Sequence, residues 1–141
     1  MENITWDEFK KVEIKDSKIR ETIDICKIEK ISIKKESLMG GMSCDEVSLV
    51  PWEILKNSVS YCVTVSDNYI SKTVKLLANS KLSNEKIVGG ECSTPGIISL
   101  VGLSNDAEIK KKINLNENSN VLLFGCEGDA DEELYKKLLN Q

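Results

Sequence analysis

Histidine is absent from all 141 residues of this chain. That absence removes every catalytic triad that needs an imidazole base and every metal site built on imidazole ligands. Any proton transfer would fall to carboxylates, lysines, tyrosines or thiols. The five cysteines, at 26, 44, 62, 92 and 126, include no C-x-x-C pair and leave one over, which predicts neither a disulfide framework nor a zinc site. No apolar run approaches the roughly 18 residues of a membrane span, and the acidic start lacks a secretory basic region. No membrane contact and a cytoplasmic location are therefore the expectation. With only two prolines, and no repeat or Gly/Pro-rich tract, nothing divides the chain internally. The net charge of −4 counts against nucleic acid as a main partner. Lys110, Lys111 and Lys112 are a local exception and read as a solvated helix face.

A hydrophobic content of 40% and a charged content of 30% are those of a globular protein. A chain of this length buries roughly 68–70% of its extended surface, enough for a real core. Apolar alternation or short apolar runs predict strands at 12–15, 28–33, 61–65, 87–88 and 121–124. Between them lie helix signals. Asp16 or Ser17 leads into Ile19, Ile23 and Cys26, and Pro51 into Trp52 and Leu55, with an end near Asn57. Ser66 or Asp67 caps a helix with Ile70, Val74 and Leu77, while Thr94 and Pro95 open one bearing Ile97, Ile98 and Val101. Asp129 with Glu132 forms a capping box ahead of Leu134 and Leu138. Strands alternating with helices predict an α/β domain of three layers, a mainly parallel sheet flanked by helices, with 121–124 on a buried strand.

Two junctions carry the functional signal. In Val88-Gly89-Gly90-Glu91-Cys92-Ser93-Thr94-Pro95-Gly96 and in Val121-Leu122-Leu123-Phe124-Gly125-Cys126-Glu127-Gly128-Asp129, an apolar segment ends in glycine, polar groups follow, and a helix signal closes the turn. Glycine admits a ligand close to the backbone, and a helix start offers unpaired N–H groups. On a parallel sheet such junctions share the edge where ligands bind.

These two runs, with Ser37-Leu38-Met39-Gly40-Gly41-Met42-Ser43-Cys44 and Trp52-Glu53-Ile54-Leu55, resemble in order and spacing the C-terminal third of diaminopropionate ammonia-lyase. That family is of the fold-type II pyridoxal-phosphate enzymes, alongside the tryptophan synthase β chain. The resemblance runs through 12–141, with 1–11 as a non-matching N-terminal segment, and implies a partial tryptophan synthase β-like fold. The parent reaction converts 2,3-diaminopropionate to pyruvate and ammonia. The Schiff-base lysine, the second acid/base group and the glycine-rich phosphate cradle of the family lie N-terminal to the matched part. Gly40-Gly41 and Gly89-Gly90 are too short to surround a phosphate. The resemblance thus implies a truncated lyase-like domain, inactive as an isolated chain, with no catalytic residue of its own and no cofactor held alone.

By the same resemblance, Glu91 and Cys92 lie beside the cofactor ring, and Gly125-Cys126 replaces a Ser-Thr pair that contacts the pyridine nitrogen. Glu127 and Gly128 follow the family pattern. A thiol is a weak donor, so tuning of the ring would suffer. Plainer readings stand beside these. Glu91 reads equally as a solvent-facing carboxylate, Cys92 and Cys126 as ordinary buried thiols, Ser93 and Thr94 as capping groups, and Met39 and Trp52 as core or interface. Two alternatives remain in function: the C-terminal subunit of a split lyase completed by a separately encoded N-terminal half, or a non-catalytic interaction module. Surface made for missing neighbours favours self-association, a homodimer or larger, with Trp6 and Phe9 as further contact candidates.

Overall fold

The computed structural model describes residues 36–44 and 48–141, apart from the side chains of 56 and 57. The strands expected at 12–15 and 28–33, the helix carrying Ile19, Ile23 and Cys26, the 1–11 segment, and Trp6 and Phe9 lie outside the described residues.

Among the described residues, five α-helices follow in order: α1 (Leu49–Ser58), α2 (Ile70–Ala78), α3 (Pro95–Ser104), α4 (Ala107–Lys112) and α5 (Glu132–Asn140). α2 is amphipathic, with Ile70, Thr73, Val74 and Leu77 buried on one face. The spacing of three and four is what places them on one stripe. Thr73 is tolerated inside because its hydroxyl donates to the Tyr69 carbonyl at 2.9 Å. Against this stripe pack Ile98 and Val101 of α3, Tyr135 and Leu138 of α5, and Met39 from the turn ahead of α1. Each fully buried aliphatic side chain contributes about 1.5–3 kcal/mol. The Ser71 hydroxyl donates to the Leu138 carbonyl at 2.6 Å and pins α5 to α2.

Local chemistry sets the helix ends. Ser66 accepts from the Asn68 N–H at 3.3 Å and starts a 3₁₀ turn, Asp67–Tyr69, that runs into α2. Asp67 is used differently from the expected cap. Its carboxylate accepts from the Ser37 hydroxyl at 2.7 Å and from the Leu38 N–H at 2.9 Å, tying the Gly40–Met42 turn region to the start of α2. α2 ends where Ser80 takes a left-handed φ of 52° and Lys81 N–H returns to the Leu76 carbonyl. α4 ends alike at Asn114, φ 56°, with Leu115 N–H on the Lys110 carbonyl. Asp106 caps α4 through the Ile109 N–H at 2.9 Å, and its C-terminal lysines sit where the helix dipole favours cations. Lys111 and Lys112 are exposed there, as a solvated face requires.

Two sequence expectations are corrected and a third is refined. The cap of α5 is Asp131, which accepts from the Leu134 N–H at 2.9 Å, and not Asp129. Thr94 is the N-cap residue of α3, as expected, and its carbonyl accepts from the Ile98 N–H, but the side-chain cap bond is missing and its hydroxyl donates to the Glu91 carbonyl at 2.7 Å instead. The larger correction concerns the sheet. Among the described residues there is no strand, so the α/β class with a mainly parallel sheet flanked by helices, and with it the partial tryptophan synthase β-like fold, does not hold. Residues 61–65, 87–88 and 121–124 are irregular chain. The apolar run at 121–124 is uncovered, with Leu122 and Phe124 each 77% exposed. A short apolar run is compatible with a strand, but a strand forms only by pairing, and the single backbone-to-backbone bond between the two regions falls beyond the expected strands, from Gly90 N–H to the Glu127 carbonyl at 3.1 Å. The described fold is helical.

Candidate functional site

The two glycine junctions do meet, through Glu127. Its carbonyl accepts from the Gly90 N–H at 3.1 Å and from the Ser93 hydroxyl at 2.5 Å. Its own N–H donates to the Ser93 Oγ at 3.1 Å, and its carboxylate Oε2 accepts from the Cys92 N–H at 2.9 Å. A single residue of the second junction is thus bonded to three of the first. The Glu91–Ser93 stretch makes a 3₁₀ turn in which Ser93 N–H returns to the Gly90 carbonyl and Thr94 N–H to the Glu91 carbonyl. Of the five N–H groups from Gly90 to Thr94, those of Gly90, Cys92, Ser93 and Thr94 are therefore spent within the protein.

Glycine is required at Gly90 by close approach, not by dihedral angle. Its φ is −71°, open to any residue, but a Cβ there would lie 2.3 Å from the Gly128 carbonyl oxygen and 3.0 Å from the Glu127 carboxylate. Gly41 completes the wall on the other side, where a Cβ would stand 3.4 Å from the Cys92 sulfur. The Leu38–Met42 region and the Gly-Gly-Glu-Cys turn are in this way one packed unit.

Of the residues singled out from the sequence, Glu91, Cys92 and Glu127 come together at half-buried positions, and Ser93 joins them. Gly125, Cys126 and Gly128 lie beside them but exposed, and nothing stands within 4 Å of a Cβ at Gly128. Burial pushes the Cys92 thiol above its ordinary value of 9.0, a hydrogen bond to Glu127 adds to the rise, and the Gly41 backbone opposes it in part. The thiol is consequently held in its neutral form at pH 7, which is unfavourable for a nucleophile. Glu91, Cys92 and Glu127 each offer one ligand atom within 4.8 Å of the others. A protonated thiol is a poor metal ligand, and Glu127 already serves the Cys92 N–H, so the trio is read as a structural cluster.

Beside the cluster opens a half-enclosed cavity of about 350 Å³. Leu77, Leu82, Ile87, Val88, Ile97 and Leu123 supply apolar walls, while Ser93 and Glu127 contribute polar lining. Sequence reasoning did not anticipate the hub role of Glu127, whose bonds span 34 and 35 residues, or this cavity, whose walls come from segments between Leu77 and Glu127.

A phosphate bound by this turn would need free N–H donors and a positive field. Four of the five donors from Gly90 to Thr94 are spent as described, and the carboxylates of Glu91 and Glu127 bring negative charge to the turn. The residues present do not fit the phosphate end of pyridoxal phosphate.

No family model matches the chain, and no solved structure matches it. Among curated proteins, diaminopropionate ammonia-lyase of Escherichia coli is 26% identical over 106 residues, 73% of this chain and 27% of that protein. The protein of the same name from Salmonella typhimurium is 22% identical over 107 residues, 73% of this chain and 26% of that protein. The chain is thus distantly related to diaminopropionate ammonia-lyase, and it spans 27% or less of the length of these relatives. Among the described residues no helix is long and apolar enough to cross a membrane.

Proposed function

We propose that this chain is a diaminopropionate ammonia-lyase-like scaffold domain that has no independent catalysis. The observation that supports it is the closure of the Gly-Gly-Glu-Cys turn on Glu127, with the N–H groups of Gly90 and Cys92 consumed and the space at Gly90 filled by the Gly128 carbonyl. A cofactor enzyme of this class requires a covalent lysine and a phosphate anchor as separate parts. The turn is built as a rigid joint and not as such an anchor. Its role in this reading is to hold the two junctions together.

A second reading, the subunit of a split pyridoxal-phosphate lyase, draws on the exposure of Gly125, Cys126 and Gly128 beside Glu127, which leaves that edge open to another chain. The two readings separate in one experiment. The purified chain is mixed with stoichiometric pyridoxal phosphate, scanned for Schiff-base absorbance, reduced with borohydride and mapped by mass spectrometry, with ammonia release from 2,3-diaminopropionate followed in parallel. The scaffold reading expects no specific lysine adduct and no ammonia. A single labelled lysine together with turnover would overturn it, and both appearing only on addition of a second chain would establish the split enzyme.

A further inference from the structure

We propose that the cavity and the adjoining run at 121–124 form a self-docking surface, in which Phe124 of one copy seats in the cavity of a second copy of this chain. Val121, Leu122, Leu123 and Phe124 are 45, 77, 38 and 77% exposed, and Ile87 and Val88 are 44 and 43% exposed. Leu123, Phe124, Ile87 and Val88 all border the one cavity, so this is a continuous patch and not scattered side chains. These six residues together expose surface on the order of 600 Å² per copy, against about 800 Å² per partner in a standard interface. Monomeric proteins rarely leave more than a few hundred Å² of contiguous apolar surface open.

The occupant is a second copy because protrusion and recess lie on the same patch. Two copies related by a two-fold axis then exchange Phe124 reciprocally, which is the self-complementarity that an isologous interface demands. Volume agrees. A cavity of about 150 Å³ already admits benzene, so the 350 Å³ here takes a benzyl group together with part of a neighbouring isobutyl group. Charge does not oppose the pairing, since no charged residue occurs in 87–90 or 121–126 and Glu127 stands at the border. This surface exists whether or not the chain completes an ammonia-lyase.

Light scattering and sedimentation equilibrium from low to high micromolar concentration test it on the full chain. The wild type is expected at twice its 15.7 kDa mass. Phe124→Glu should weaken association roughly 100-fold or more, as loss of a central anchor does. Far-UV circular dichroism checks that this variant is folded. Leu122→Lys, at a position that does not line the cavity, carries the test if Phe124→Glu is not folded. Leu49→Glu on α1, where Leu49 is 81% exposed and does not line the cavity, is the control and should leave the mass unchanged. A wild-type monomer at every concentration overturns the proposal, including one that takes up a different partner. So does a dimer that survives both substitutions in the 121–124 run, or one that only Leu49→Glu dissociates.

Discussion

Replacing Gly90 with alanine should destabilise the protein far more than the same change at any exposed glycine. The added Cβ would sit 2.3 Å from the Gly128 carbonyl oxygen and 3.1 Å from the Glu127 Cγ, and neither the backbone nor the anchored carboxylate can withdraw without breaking bonds. Relief means parting the two junctions. That loses the Gly90 N–H bond to the Glu127 carbonyl, about 1 kcal/mol, and weakens the Cys92 N–H bond to the carboxylate, about 1.5 kcal/mol at a half-buried site. Overpacking that is not relieved costs about 1–3 kcal/mol instead. The expected loss is about 2–3 kcal/mol. With a urea m-value of about 1–2 kcal/mol/M for a chain of this size, the midpoint should fall by roughly 1–3 M. Gly128→Ala is the matched control, because nothing lies within 4 Å of its Cβ and its φ is not positive, so stability should hold or rise by a few tenths of a kcal/mol. Equal midpoints for Gly90→Ala and Gly128→Ala would refute the joint described here.

Other outcomes are expected from the same structure. At pH 8 an alkylating agent should label exposed Cys44 and Cys126 well before Cys92, whose burial and bond to Glu127 hold the thiol protonated; peptide mapping over time checks this, and equal rates would contradict it. The raised Cys92 value has a linkage consequence, since the folded state keeps a proton that the unfolded chain releases near 9.0. Stability from this group is complete below that pH and is lost as pH rises through the folded value, so urea midpoints should fall as pH rises above 9.0 and fall less in Cys92→Ala. Tyr135 is 8% exposed and its hydroxyl has no hydrogen-bond partner among the described residues, so Tyr135→Phe should be neutral or stabilise by up to about 1 kcal/mol in thermal melts; a loss above that would reveal a partner. Ile98→Ala, at a position on α3 that is 1% exposed and packs in the same core as Ile70 and Val74 of α2, should cost about 2–5 kcal/mol by chemical denaturation, and a loss under 1 kcal/mol would mean that the site collapses around the smaller side chain.

The helices were legible in the sequence because their signals are local. Ile70, Val74 and Leu77 lie at the spacing of one helix face, Ser66 precedes them as a cap, and Pro95 fits a first turn, so α2 and α3 follow from residues within a few positions of one another. The error over Asp129 and Asp131 is of the same local kind, two candidate caps two residues apart, of which the one three residues before Leu134 has the reach. The sheet was misread for a different reason. Val121 to Phe124 has the composition of a buried strand, but composition reports what a segment can bury and not whether another segment lies alongside to pair with it. In the described residues that pairing is absent, and Leu122 and Phe124 point their apolar surface outward.

The site stands between these cases. The two glycine runs do meet, through the bonds of Glu127 to Gly90, Cys92 and Ser93, and the group that comes close to the Gly-Gly-Glu-Cys turn in this structure is a side chain of the same protein. A glycine pair followed by polar residues means close approach to the backbone, and the approaching group can be a cofactor or another part of the same chain. Nothing in the residues around Gly90 distinguishes the two. What distinguishes them is the fate of Glu127, which sits 35 residues from Cys92 and whose carboxylate could face solvent or turn inward to take an N–H. Once it turns inward, a negative charge occupies the donors that an anion would need, and it also supports the neutral state of the neighbouring thiol. Replacing that charge with Glu127→Gln keeps an acceptor for Cys92 N–H while removing the coulombic contribution. Cys92 should then alkylate faster at pH 8, with stability reduced by no more than about 1 kcal/mol. An unchanged rate in a folded Glu127→Gln protein would mean that burial alone protects the thiol, and that the carboxylate serves only as the joint.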